Sequence, residues 1–491
     1  MIEFCDVSFS YAGDENVDGV KNINLKIKDG ECVLLCGESG CGKTTVTRLV
    51  NGLIPHFYGG NLIGSVKYDG RQVSDIPLYD TAMTTGSVFQ NPGTQFFNTD
   101  TDSELAFGCE NLGFGKEEIK RRVESTVKEM KLEPLLGKSI FNLSGGEKQK
   151  IACGSVNALL PKVMVLDEPS SNLDVASISD LRNIIMNWKK QGKTIIVAEH
   201  RLYYLVDVAD RIVYMKDGII KGEFTSEELI NMPNEKRRKM GLRRPTFRLE
   251  KKMDYEISGQ GKKLVLKDFC FSYRKKQEAL NIPSAEFSTG HVIAVIGRNG
   301  AGKSTFARCV CGLEKRSGIL DFGGKKLGTG DRLKTCYMVM QDTGHQLFTE
   351  SVLDEVLLSM EKEDEKEALL ILERLDLKEY IDRHPQSLSG GQKQRLAIAS
   401  ALAAKKEIFV FDEPTSGLDF KHMEEVAAIL RELKEKGKTI FVITHDIELI
   451  ESCCTDVLQL EAGRIADQYP LDEMGEQKLF DFFSNRKQEK K

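Results

Sequence analysis

Two stretches carry the reading: Val33-Leu34-Leu35-Cys36-Gly37-Glu38-Ser39-Gly40-Cys41-Gly42-Lys43-Thr44, and Val292-Ile293-Ala294-Val295-Ile296-Gly297-Arg298-Asn299-Gly300-Ala301-Gly302-Lys303-Ser304. Each is a short apolar run, then Gly-x4-Gly-Lys-[Ser/Thr], then a helical pattern such as Thr45 to Val50, which predicts strand, loop and helix. The glycines let backbone N–H groups bend into an anion nest, the helix start faces phosphate, the lysine adds charge, and the hydroxyl can meet Mg²⁺. With glycine at about 7 % of residues, one chance match in a chain this long has odds on the order of one in fifty. Two matches, each after an apolar run, make chance a poor explanation.

The rest of the chain repeats in the same order. Val7-Ser8-Phe9-Ser10-Tyr11 returns as Phe269-Cys270-Phe271-Ser272-Tyr273, and Val88-Phe89-Gln90 as Val339-Met340-Gln341. Leu143-Ser144-Gly145-Gly146-Glu147 returns as Leu388-Ser389-Gly390-Gly391-Gln392, and Leu166-Asp167-Glu168-Pro169 as Phe411-Asp412-Glu413-Pro414. The offset is 260 at Lys43 and Lys303, 251 at Gln90 and Gln341, and 245 from Ser144 and Ser389 through His200 and His445, so length variation sits in the front of each half. The apolar runs Val163 to Leu166, Thr194 to Ala198, Ile408 to Phe411 and Thr439 to Ile443 predict buried parallel strands. Asp167 and Asp412 close such strands, where a carboxylate can hold Mg²⁺, and Glu168 and Glu413 can polarise an attacking water. After a phosphate loop, in both halves, that pair reads as ATP hydrolysis rather than as a helix cap.

Composition narrows the class. At about 100 to 200 residues per domain, 491 residues mean two to four domains. Hydrophobic residues at 41 % and charged residues at 29 % exclude wholesale disorder. The apolar runs fall far below the roughly 18 residues that span a bilayer. Met1-Ile2-Glu3-Phe4-Cys5-Asp6 has no basic or apolar leader pattern, which predicts a cytoplasmic location. Twelve cysteines without Cys-x-x-Cys spacing are expected as reduced, small core residues. A formal charge of -5 gives no global basic field for nucleic acid.

Taken together, the motifs resemble a fused pair of ATP-binding-cassette ATPases over nearly the whole chain, with the Leu-Ser-Gly-Gly-Gln type signature as the discriminating element. The resemblance implies an α/β fold: two P-loop ABC ATPase domains, each a RecA-like layered core with a helical signature subdomain, arranged as an intramolecular head-to-tail pair. The expected boundaries are 1–230 and 263–480 for the cassettes, 231–262 for a basic linker and 481–491 for a charged tail. One ATP site would combine Lys43, Asp167 and Glu168 with Ser389, Gly390, Gly391 and Gln392. The other would combine Lys303, Asp412 and Glu413 with Ser144, Gly145 and Gly146. The two phosphate loops, Gly37 to Thr44 and Gly297 to Ser304, with Thr45 and Thr305 after them, complete the nucleotide contacts. Thr44, Gln90 and Asp167, and again Ser304, Gln341 and Asp412, are the implied Mg²⁺ ligands.

Tyr11 and Tyr273 resemble the aromatic residue that stacks on adenine, the alternative being an ordinary strand aromatic. Gln90 and Gln341 resemble the glutamine that touches Mg²⁺ and water and moves with the membrane partner. Asp174 and Asp419 match the loop that crosses between cassettes. His200 and His445, each 32 residues beyond its glutamate, match the histidine that senses the γ-phosphate. The first half departs in Glu147, in Ser171-Asn172-Leu173-Asp174, and in Cys41. A charge at Glu147 near phosphates is unfavourable unless it faces solvent. Cys41 is either a small tolerated loop residue or a thiol with a lowered pKa in the anion nest.

Asn51 to Tyr58, Val88 to Phe97, Glu104 to Asn111 and Gln346 to Thr349 resemble the ATPases of energy-coupling factor importers. That resemblance implies a peripheral protein at the cytoplasmic face of the membrane. A membrane scaffold and a substrate-binding subunit, in separate chains, would be its partners for vitamin or transition-metal uptake. The rivals are a ribosome-associated tandem cassette factor, which generally carries a longer charged arm between cassettes, and a sugar-type importer, which usually has one degraded cassette. Between the halves, Glu235 to Lys252 holds nine basic residues against two acidic ones. It reads as a solvated connector or as a contact for anionic lipid headgroups.

Overall fold

Strands buried on both faces must be apolar at every position, and Cys32–Gly37 and Val292–Ile296 are buried throughout. The computed structural model describes residues 1–12, 18–171, 173–247, 262–274, 277–315 and 317–484. Asn172 and the basic residues Arg248, Lys251 and Lys252 lie outside the described residues. Contacts divide the chain into two units, Met1–Phe247 with Asp419–Lys421, and Arg248–Leu418 with His422–Lys491.

In the first unit the strands are β1 (Ile2–Tyr11), β2 (Asp18–Ile27), β3 (Cys32–Gly37), β4 (Gly60–Tyr68), β5 (Arg71–Gln72), β6 (Thr85–Val88), β7 (Val163–Asp167), β8 (Thr194–Ala198), β9 (Arg211–Lys216) and β10 (Ile219–Phe224). They form a four-stranded antiparallel sheet, β2-β1-β4-β5, and a six-stranded sheet, β10-β9-β3-β8-β7-β6. Side chains of a strand alternate between faces. On β3, Val33 and Leu35 pack with Phe4, Phe9 and Val46 in one core, while Cys32, Leu34 and Cys36 pack with Leu105, Ile151 and Trp188 in the other. Between β6 and β7 the chain forms the helices Thr101–Asn111, Lys116–Met130 and Gly145–Asn157.

The second unit repeats the plan with β11 (Lys263–Arg274), β12 (Gln277–Ser288), β13 (Val292–Ile296), β14 (Ile319–Phe322), β15 (Lys325–Leu327), β16 (Cys336–Val339), β17 (Ile408–Asp412), β18 (Thr439–Ile443), β19 (Asp456–Glu461) and β20 (Arg464–Pro470). Its sheets run β12-β11-β14-β15 and β16-β17-β18-β13-β19-β20. The helices Val352–Leu358, Glu365–Arg374 and Gly390–Ala403 fall between β16 and β17. The shorter offset before Gln341 has a structural counterpart: the turn Leu53–His56 of the first unit has no helix in its place among the described residues of the second.

The described part of the connector, residues 231–247, keeps Lys236, Arg238 and Lys239 exposed but packs in part on the first unit. Helices Ser226–Ile230 and Asn234–Lys239 follow β10, Leu242 enters the core of the first unit, and Met232 and Met240 pack against it. Arg237 and Arg243 are buried, 1 % and 3 % exposed, so neither can reach lipid headgroups. Apolar residues interleaved among the charges account for the packing. Among the described residues no helix is long and apolar enough to cross a membrane.

Candidate nucleotide sites

Each phosphate loop leaves its strand and enters a helix, Lys43–Val50 or Lys303–Val310, through a glycine in the left-handed region, Gly42 at φ 98° and Gly302 at φ 96°. A Cβ at Gly42 would sit 2.7 Å from the Gly19 carbonyl, so both conformation and space demand glycine. Lys43 Nζ donates to the carbonyls of Gly37 and Glu38, each at 3.1 Å, and lies 3.3 Å from His200 Nε2. Lys303 Nζ donates to the carbonyls of Gly297 at 2.6 Å and Arg298 at 3.2 Å.

In the first unit β7 and β8 deliver the rest of the site. Thr44 Oγ1 donates to Asp167 Oδ1 at 3.1 Å, Gln90 Nε2 donates to Glu168 Oε2 at 2.8 Å, and His200 Nε2 lies 3.2 Å from Glu168 Oε1. Burial, with the Glu168 charge beside it, pushes Asp167 up to about 6. Burial acts in the same direction on Glu168, but the adjacent His200 and Lys43 hold it below the usual carboxylate value. In the second unit His445 Nε2 is 3.6 Å from Glu413 Oε1, and burial raises Asp412 against the hydrogen bond from Ser304. Gln341 is exposed and, among the described residues, makes no counterpart of the Gln90 bond. Glu168 and Glu413 both adopt left-handed backbone, φ 45° and 51°, which costs a non-glycine residue about 1 to 3 kcal/mol. The same left-handed turn recurs at other paired loop positions, such as Leu160 and Lys405 or Asp217 and Ala462, so it is a feature of the shared fold that also sets the two glutamates.

The signature serines are helix caps. Ser144 and Ser389 each form a capping box with the residue three further on, Glu147 or Gln392. Glu147 therefore turns back onto its own helix start, where Oε2 accepts from the Ser144 N–H and hydroxyl, each at 2.9 Å. Burial works against its charge, yet the Ser144 bonds keep its pKa lowered. Asp174 caps the next helix, Val175–Lys190, through the Ser177 N–H at 2.8 Å. Tyr11 and Tyr273 are tethered by their hydroxyls to Thr45 at 3.1 Å and Thr305 at 3.2 Å, which holds each ring beside its phosphate loop. Cys41 takes the plain alternative: it is buried, and burial pushes its thiol up rather than down, because Lys43 Nζ at 3.9 Å does not offset the desolvation.

Several contributing residues carry no motif. Gln95 accepts from the Phe89 N–H and donates to the Ser87 carbonyl, and Gln346 does the same with Met340 and Met338. Glu104 Oε2 accepts the N–H groups of Phe97 and Asn98 at 3.1 and 2.9 Å, and Glu355 Oε2 those of Phe348 and Thr349 at 3.0 and 3.1 Å. Both pairs recur at the offset of 251, and that recurrence is the signal by which sequence could find them. Glu199, buried beside His200, has Thr444 at its repeat position and leaves no such signal.

Two layered α/β units, each with a phosphate loop, a strand-end carboxylate pair and a capped Ser-Gly-Gly helix, define a tandem P-loop ATPase. The family model described as ABC transporter matches residues 20–171 and 280–416. The chain belongs to the ABC transporter family and is an ATP-binding, ATP-hydrolysing member of it. It is 45 % identical over 477 residues to a Treponema denticola protein named, provisionally, as an ABC transporter ATP-binding protein; the match covers 95 % of this chain and 97 % of that one. A similarly named Methanosarcina acetivorans protein is 33 % identical over 504 residues, covering 91 % and 82 %. Among solved structures, the RNase-L inhibitor shares the fold at a TM-score of 0.65 and 21 % identity, covering 96 % of this chain and 92 % of that one. An archaeal ribosome recycling factor, solved with a ribosomal stalk protein, does so at 0.63 and 22 %, covering 94 % and 89 %.

Proposed function

We propose that the chain is the energy-coupling ATPase of a membrane import system of the energy-coupling factor type, serving vitamin or transition-metal uptake. The observation that carries this reading is a pair of presented aromatics. Phe97 and Phe348, 75 % and 74 % exposed, stand at the same place in the two units, each on a loop pinned by a buried glutamate. An apolar ring held out in water at a fixed position has the character of a docking point. In the first unit Phe97, Phe57 and Phe89 line a cleft of about 740 Å³ that also reaches Thr44, Gln90 and Asp167. A partner helix seated there would touch the loop of Gln90 and hence the bond from Gln90 to Glu168.

The side chains fit the chemistry. Lys43 and Lys303, now satisfied by loop carbonyls, would turn to the β- and γ-phosphates. Hydroxyl and carboxylate oxygens at Thr44 and Asp167, and at Ser304 and Asp412, form the hard donor set that suits Mg²⁺, which when bound neutralises phosphate charge. Glu168 and Glu413 would orient and polarise the attacking water, with His200 and His445 facing the γ-phosphate. Tyr11 and Tyr273 would stack on adenine. Ser144 and Ser389, with the helix starts they cap, would close the sites from the opposite cassette of a head-to-tail pair, and hydrolysis would reopen it.

Purification of the full chain from gently solubilised cells tests the reading. Recovery in the membrane fraction with a multi-spanning scaffold, lost on Phe97→Asp with Phe348→Asp while basal ATPase activity persists, is the expected result. Sedimentation with ribosomes and no membrane partner would reject it in favour of the ribosome-associated alternative.

A further inference from the structure

The residue before the first-site histidine has no role in the reading above, yet it is among the most heavily bonded carboxylates of the first unit. Glu199 is 2 % exposed. Its Oε1 accepts the N–H groups of His200 at 2.7 Å and Arg201 at 3.1 Å, and its Oε2 accepts the Ser170 N–H at 3.3 Å and the Tyr204 hydroxyl at 2.8 Å. Ser170 follows Glu168 by two residues, so this one side chain ties the loop that carries Glu168 to the loop that carries His200. A buried carboxylate is retained only when its oxygens are satisfied, and here donors from both loops satisfy it.

The second unit makes the same tie with a different residue. Position 444 is a fully buried threonine, and the carboxylate comes instead from Asp446, on the other side of His445. Asp446 accepts from the hydroxyl of Thr415, the repeat counterpart of Ser170, at 2.8 Å and from the Leu449 N–H at 3.3 Å. Its own N–H donates to Thr444 Oγ1 at 3.0 Å. We infer that Glu199 and Asp446 are equivalent positioning residues, which set His200 and His445 against their glutamates from opposite sides of the histidine. The inference rests on assigning those histidines to the reacting phosphate.

The test uses the full chain and reads kcat against the affinity for a fluorescent ATP analogue. Glu199→Gln is combined with Asp446→Asn, so that the result does not depend on how the sites share turnover. An amide at 199 turns an N–H towards backbone donors, and an amide at 446 removes the charge and forces the Thr415 hydroxyl to accept instead of donate. The expected result is a fall in kcat of about tenfold or more, with nucleotide Kd changed less than about threefold. Converting the first unit to the pattern of the second, Glu199→Thr with Arg201→Asp in the Asp446→Asn background, should recover at least about fivefold over the amide pair. An amide pair with kcat within twofold of wild type, or a Kd that rises as far as kcat falls, overturns the inference. If the amide pair does not fold, the converted first unit in an otherwise natural chain decides: near-normal kcat supports the inference and near-zero kcat rejects it. A control with His200→Ala and His445→Ala separates the layers, since full activity there would remove the assignment of the histidines, whatever Glu199 does.

Discussion

Asn157 is the last residue of the signature helix of the first unit, and the stability of that unit should depend on it. Its Oδ1 accepts from Trp188 Nε1 at 2.8 Å and its Nδ2 donates to Thr126 Oγ1 at 3.4 Å. Those partners lie on helices Val175–Lys190 and Lys116–Met130, so one amide joins three helices. Trp188 is fully buried, so its indole N–H is cut off from bulk solvent. Asn157→Ala leaves an orphan indole N–H at about 1 to 3 kcal/mol and a small void at about 1 kcal/mol, together about 2 to 4 kcal/mol. Trp188 is the only tryptophan of the chain, so its emission reports unfolding of the first unit alone. With a urea m-value of about 3 kcal/mol/M for a unit of this size, the midpoint should fall by roughly 1 M. A shift below about 0.3 M would show that the three-helix junction does not rest on this amide.

Other outcomes follow from the site geometry. Glu168→Gln with Glu413→Gln should remove most turnover while a fluorescent nucleotide still binds; unchanged ATPase activity would dismiss both glutamates as the groups that activate water. Lys43→Ala or Lys303→Ala should weaken nucleotide binding by about tenfold or more, because a charge-assisted contact to phosphate is lost, and an unaltered titration would contradict this. Glu104→Ala strips three bonds from the loop of Phe97, from the Phe97 and Asn98 N–H groups and the Asn98 side chain, worth at least about 2 to 4 kcal/mol locally. Hydrogen exchange at the Phe97 and Asn98 amides should accelerate at least about 30-fold, and unaltered exchange would mean that other contacts hold the loop.

Much of the candidate site was legible because its elements are local. Gly42, Lys43 and Thr44 build their anion nest within a few residues, and Asp167 and Glu168 need only the end of an apolar strand. The capping boxes of Ser144 and Ser389 reach only three residues along the chain, and the repeat supplies each motif with a counterpart. Contacts made across loops were not legible in this way. The tie from Glu199 to Ser170 crosses between two strand ends and has no repeat partner of its own type, since Asp446 replaces it from the other side.

From sequence alone come two α/β cassettes, their phosphate loops, their strand-end carboxylates and the family, because backbone conformation and short-range chemistry dictate those features. Only the tertiary structure decided that Met240 and Leu242 fold the connector onto the first unit, that Glu147 is consumed by its own helix start, and that burial leaves Cys41 a protonated thiol. It also decided that Phe97 and Phe348 stand in water rather than in a core. The physical reason is common to all four: each depends on what surrounds a side chain in space, and burial sets both the cost of a charge and the value of an apolar surface.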